Sequence, residues 1–229
     1  PNLSSQIQGG WHFPKAHHTL DPDLILEKLY QSFLSRGGQF QKEEVSSVHP
    51  REDSTQINNN EYNQLVICTG AFSKSLVKQI EGLSIPLETE RGYHIEFIEK
   101  QKLLSRPTSL VESGMYLTPL HNRLRAVGTV ELGGLHSEIS QARIDYIARD
   151  AKRLLPSLQD YQNPWLGYRP TMPDCLPVLG RSPKYKNIFY AFGHNHLGWT
   201  LGPTTGKLIT DLICHGREIN SVYSIDRYL

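Results

Sequence analysis

A short apolar run, Ile188 to Phe192, ends in Gly193-His194-Asn195-His196-Leu197-Gly198, and a helical pattern follows it. Few folds accommodate that order. Glycine turns the backbone where other residues are strained, so the chain's own N–H groups can approach an anionic or polar group at the helix start. A second corner of the same kind lies upstream. Leu65-Val66-Ile67-Cys68 runs into Thr69-Gly70-Ala71 and then a helical stretch from Ser73 to about Glu81. A continuous apolar run of this length reads as a strand buried on both faces. Two such corners require an α/β portion.

The remainder is read around them. Gly9-Gly10 leads into Trp11-His12-Phe13, a short strand candidate closed by Pro14. Asp21-Pro22 opens a helix, aspartate as N-cap and proline at the first helical position, with Leu26, Leu29, Tyr30 and Phe33 at helical spacing before Gly37-Gly38. Asn58-Asn59-Asn60 suits a hairpin turn, because asparagine tolerates the left-handed conformation. Gly92 to Phe97, Met115 to Leu120 and Leu124 to Val130 read as strands of an antiparallel sheet, with His121-Asn122 at a turn. A helix of about Ile139 to Leu155 carries Ile144, Ile147, Ala151 and Leu154 on one face and stops at Pro156. The closing helix, about Thr204 to His215, ends at Gly216.

Composition excludes several classes. A formal net charge of +1 gives nucleic acid or an acidic membrane no electrostatic footprint to recognise. No apolar run reaches the length of a bilayer span. Three widely separated cysteines, Cys68, Cys175 and Cys214, have no metal-type spacing, so a reduced cytoplasmic compartment is expected. The chain opens Pro1-Asn2-Leu3 without methionine, which reads as a piece of something longer.

Among individual side chains, Arg169 stands out. It precedes Pro170, which biases its backbone toward the extended region, and its forked guanidinium suits two-point capture of a carboxylate. The plain alternative is a surface salt bridge. His194 and His196 invite a metal reading, yet supply two ligands where a site of four needs more, so no metal is expected. Gly70, with Thr69 and Ala71, either contacts a phosphate or serves only to turn the chain. Tyr116 either points its hydroxyl at a ligand or is a core residue with a satisfied hydroxyl.

Taken together, these stretches resemble the FAD-dependent D-amino acid oxidase family, in its bacterial glycine oxidase and D-amino acid dehydrogenase branch. The resemblance is carried by LVICTGAFS (Leu65 to Ser73), ERGYH (Glu90 to His94), Met115 to Pro119 with Ala126-Val127-Gly128-Thr129, GYRPTMPDCLPVLG (Gly167 to Gly180) and FGHNHLGWTLGPTTGKLITDLI (Phe192 to Ile213). It implies FAD as cofactor and a small-molecule amino acid as substrate. The amine would be oxidised to an imine, and water would release a 2-oxo acid and ammonia. No acid–base residue is implied. The resemblance assigns Arg169 to the substrate carboxylate, and Tyr116 and His196 to further substrate contacts. Gly193, Leu197, Gly198, Trp199 and Thr200 would lie along the flavin, Thr69, Gly70 and Ala71 near the pyrophosphate, and Val45 near the adenine. Dioxygen or a quinone would accept the electrons.

The implied fold is α/β (α+β): an incomplete Rossmann-like FAD-binding portion, residues 1–86 and 165–229, and a substrate domain, residues 87–164, with an antiparallel or mixed sheet. One departure is large. The family's N-terminal G-x-G-x-x-G fingerprint, with an acidic residue about 20 positions on, is absent. The chain therefore reads as the C-terminal part of such an enzyme, missing the N-terminal FAD-binding half, and is expected to bind FAD weakly or not at all. A non-catalytic fragment or subunit and a His-x-His metal-dependent hydrolase are the rival readings.

Overall fold

A computed structural model describes residues 3–99 and 101–228. Pro1 and Asn2, with which the sequence opens without methionine, lie outside them. The chain divides into two compact units, one of Pro1–Lys42, Gly92–Glu131 and Ser137–Gly167, the other of Glu43–Arg91, Leu132–His136 and Tyr168–Leu229.

The first unit is a sheet backed by a helix. Strands β5 (Glu88–Ile98), β6 (Thr108–Leu110), β7 (Met115–Leu120), β8 (Arg123–Leu132) and β9 (Gln162–Thr171) form a five-stranded sheet in the order β6-β7-β8-β5-β9. The unit boundary falls inside β5 and β9. Alternate residues of the strands go inward: Tyr93, Ile95 and Phe97 from β5, Met115 and Leu117 from β7, Leu124 and Ala126 from β8. They meet Ile144, Ile147, Ala151 and Leu154 on α3 (Gln141–Leu154), the apolar face that the helical spacing predicts. Asn122, at φ 59°, makes the β7–β8 turn with Leu120 paired to Arg123. Pro164 and Pro170 both sit in β9, which is tolerated because β9 is an edge strand.

The N-terminal segment belongs to this unit, whereas the sequence division put residues 1–86 with 165–229. The reason lies in its few ties. Ser4 N–H donates to the Leu154 carbonyl, His121 N–H to the Leu20 carbonyl, and Arg123 pairs with Asp23 at 3.0 Å. Helix α1 (Pro22–Ser35) is capped as expected, the Asp21 carboxylate accepting from Leu24 N–H at 3.0 Å. It buries none of its residues. The strand expected at Trp11–Phe13 is absent: the stretch has no sheet partner, and Trp11 is 94% exposed. A strand signal in sequence needs a neighbour to pair with.

The second unit holds two small sheets. Strands β1 (Val48–Pro50), β2 (Thr55–Ile57) and β3 (Asn60–Tyr62) form an antiparallel meander, turned between Ile57 and Asn60 at Asn58, φ 50°. Strand β4 (Leu65–Ile67) pairs in parallel with β11 (Ile188–Phe192), which pairs antiparallel with β10 (Val178–Arg181). Helix α2 (Ser73–Glu81) packs Val77 and Ile80 against Ile67, Ile188 and Tyr190. At its end the buried Glu81 carboxylate accepts from Ser182 Oγ at 2.5 Å and from Tyr190 Oη at 2.6 Å, and Lys184 Nζ donates to the Glu81 carbonyl. Burial, reinforced by Glu81, pushes the Tyr190 phenol well up, so it stays a donor.

Helix α4 (Gly198–His215) starts six residues before the expected Thr204 and contains Pro203. Leu201 N–H already bonds to the Leu197 carbonyl at 2.8 Å, so the first turn is set before the proline is reached. Pro203 lies in the second turn, where it withholds the N–H that would have bonded to the Trp199 carbonyl, and α4 continues through it to His215.

Candidate functional site

Parallel pairing decides where the two glycine corners go. With Ile188 opposite Leu65 and Tyr190 opposite Ile67, β4 and β11 end at the same edge of their sheet. Cys68-Thr69-Gly70 and Gly193-His194-Asn195 therefore emerge side by side, at the carboxyl ends of parallel strands, where open α/β sheets bind ligands. A cavity of about 370 Å³ opens there, lined by Val66, Cys68, Ala191, His194, Thr205 and the small residues Gly202 and Gly206 of α4, among others. Burial keeps the His194 imidazole below its usual pKa, hence neutral at pH 7, and its Nε2 lies 2.8 Å from Thr205 Oγ1. Burial likewise raises the Cys68 thiol. No lysine or arginine lines this cavity.

The loop after β11 is fixed onto the end of β9. Asn195, at φ 49°, donates its N–H to the Pro170 carbonyl at 3.0 Å, and its Oδ1 accepts from Met172 N–H at 3.0 Å. Gly193 has φ 83°, and a Cβ there would stand 2.8 Å from Cγ of the fully buried Met172. Gly193→Ala is expected to lower stability by about 1–3 kcal/mol, the usual cost of forcing a side chain into a strained backbone position. Urea denaturation checks this, and a midpoint equal to that of the wild type would show that the corner tolerates a side chain.

Arg169 stands on β9, directly before Pro170. Its side chain is half-buried, and its Nη1 is buried with no hydrogen-bond partner. Burial pulls the guanidinium below its ordinary pKa, while the Glu90 charge acts in the opposite sense. Glu90 in turn lies 3.0 Å from His196 Nε2. An orphaned guanidinium N–H is costly, because a buried donor loses water without gaining an acceptor. The chemistry of this N–H suits an acceptor such as a carboxylate. Thr171 Oγ1, two residues on, is also buried without a partner.

The structure thus brings Arg169, His196 and Gly193 into one neighbourhood of the second unit, with Gly198 opening α4 directly after the loop. Thr69 and Gly70 share the strand-end edge; Gly70 has φ 55° and Ala71 is buried. Leu197, Trp199 and Thr200 are exposed. Val45 stands on the irregular stretch before β1, and Tyr116, half-exposed opposite Val127 on β7, belongs to the first unit. His194 and His196 turn to separate partners, Thr205 and Glu90. Among the described residues no group of three or more His, Cys, Asp or Glu converges as a metal site. Sequence reasoning missed Glu90 as part of this neighbourhood, although it opens the ERGYH stretch.

Residues 1–212 match the model of the family described as DAO, FAD dependent oxidoreductase. The chain belongs to that family. It is 29% identical over 222 residues to the D-amino acid dehydrogenase of Neisseria gonorrhoeae, a match covering 92% of this chain and 52% of the relative. It is also 29% identical over 224 residues to the D-amino-acid oxidase of Bradyrhizobium diazoefficiens, covering 93% and 53%. The glycine oxidase structure from Geobacillus kaustophilus superposes with a TM-score of 0.77 at 26% identity, over 91% of this chain and 58% of that one. The mixed α/β fold expected from sequence is the fold of these flavoproteins. The chain spans about half the length of the relatives it matches.

Proposed function

We propose that this chain carries the substrate-anchoring and flavin-facing part of an FAD-dependent amino acid oxidoreductase, which oxidises the amine of a D-amino acid, glycine or a secondary amino acid to an imine that water converts to a 2-oxo acid and ammonia. The observation that carries this reading is the buried, unpartnered Nη1 of Arg169 beside a loop locked by Asn195. In the proposal Arg169 holds the substrate carboxylate in a fixed orientation, an alignment contribution rather than a bond-making one. His196 lies on the substrate side through its contact with Glu90. FAD, when bound, accepts the electron pair released from the α-carbon, and its oxidant is dioxygen or a quinone.

The residues present suit only part of that cofactor. A cavity with an uncharged, small-residue wall suits a flat ring, and α4 opens at Gly198 without a side-chain cap, leaving N–H groups to stabilise negative charge. Leu197, Gly198, Trp199 and Thr200 are assigned to that ring end. Thr69, Gly70 and Ala71 are the pyrophosphate candidates and Val45 the adenine candidate. No fingerprint glycine loop accompanies them. The chain by itself is therefore expected to retain FAD weakly or not at all, a complementary half of the relatives' length completing the site. Absorbance near 450 nm after gel filtration checks it. One FAD per chain would overturn the expectation, and gain of flavin and of D-alanine-dependent bleaching on co-expression with the complementary half would support the reading. No helix among the described residues is long and apolar enough to cross a membrane.

A further inference from the structure

Glu90 poses a physical problem for a carboxylate anchor. It sits on β5, the strand next to β9 in the sheet, and β9 carries Arg169. Its carboxylate is held at 3.0 Å by Nε2 of His196, the residue after the Asn195 that clamps Pro170. The Glu90 charge is felt at the guanidinium. A negative group in this position opposes any second carboxylate brought to Arg169. The opposition disappears only if the ligand carries a cation of its own within reach of Glu90.

Resting on the proposed reading of Arg169, we infer that Glu90, oriented by His196, is the specificity-determining partner of the anchor and selects α-amino acids as zwitterions over carboxylates that lack an ammonium group. Arg169 takes the carboxylate and Glu90 the α-ammonium. The pair behaves as a dipolar receptor, in which like-charge juxtaposition penalises the wrong ligand and an opposite charge rewards the right one. The Glu90 side chain is 23% exposed, enough to receive a ligand group while shielded from full solvent screening. The same arrangement works against the product. A 2-oxo acid keeps the carboxylate but has lost the cation, so Glu90 favours its departure. His196 does not touch the substrate in this account. It is a positioning residue that fixes which way the Glu90 oxygens face.

The test compares two isosteric ligands, D-alanine and D-lactate, titrated by NMR into the full chain. The wild type is expected to bind D-alanine at least tenfold more tightly than D-lactate. Glu90→Gln should reduce that ratio at least tenfold, by weakening D-alanine and strengthening D-lactate, and Glu90→Asp should keep most of it. His196→Gln, a change on an exposed side chain, is the second variant and should narrow the ratio more than threefold. Ratios unchanged in folded Glu90→Gln, or in His196→Gln should the former not fold, overturn the inference. If Arg169→Ala abolishes both ligands while those ratios hold, the anchor survives and Glu90 alone is rejected. If neither ligand binds the wild type, or Arg169→Ala leaves both unaffected, the anchor reading falls and takes this inference with it.

Discussion

Arg169→Ala is expected to lower kcat/KM for a D-amino acid by about 2–5 kcal/mol in transition-state stabilisation, measured in the FAD-loaded enzyme completed by the complementary half. Three features set that size. The guanidinium Nη1 is buried and lacks a partner, so the ligand's carboxylate is its acceptor rather than a competitor for one. A charge-assisted bond in a half-buried setting is roughly twice as strong as a neutral one. The strand beneath is held by Pro170 within β9 and by the Asn195 bonds to Pro170 and Met172, so the guanidinium is presented from a fixed backbone. Arg169→Lys should recover little, because an ammonium cannot reproduce the fork. A fall of less than tenfold in steady-state assays would remove Arg169 from the site.

The second large effect concerns stability. Glu81 is 1% exposed, at the end of α2, and gathers Ser182, Tyr190 and Lys184 onto one residue. Glu81→Ala removes the acceptor of two buried hydroxyl protons at about 1–3 kcal/mol each, although Ser182 Oγ still accepts from Lys184 and Tyr185 N–H, and adds a cavity. A loss of about 3 kcal/mol or more is expected, which for a protein of this size lowers Tm by roughly 6–12 °C. Glu81→Gln retains an acceptor for Ser182 and Tyr190 and should cost much less. Calorimetry on both variants checks the pair of results. Equal melting temperatures for Glu81→Ala and wild type would show that the network contributes nothing.

Those two residues also mark what the sequence could and could not disclose. Local sterics were readable. Asp21-Pro22 starts α1, Gly216 stops α4, and Asn58 and Asn122 turn their hairpins, each for a reason confined to a few neighbouring residues. The two glycine corners were readable for the same cause, and so was the extended backbone at Arg169 through its proline. The partners of buried charge were not. Glu81 lies 101 residues from Ser182 and 109 from Tyr190, and Glu90 lies 106 from His196. No period or turn signal encodes such meetings, which depend on β11 choosing β4 and β9 lying beside β5. Helical periodicity failed in a complementary way at α1. Its spacing signals an apolar face, and spacing alone does not say that anything covers that face.

That helix has a practical corollary. Leu26, Leu29 and Phe33 project from one face of α1 with about half or more of their surface in water. Such a strip is adhesive, and two chains that meet along it hide oil from solvent without any instruction to do so. Colloidal behaviour of the purified polypeptide should then be governed by its concentration and by mild detergent more than by salt, since a net charge of +1 offers almost no mutual repulsion.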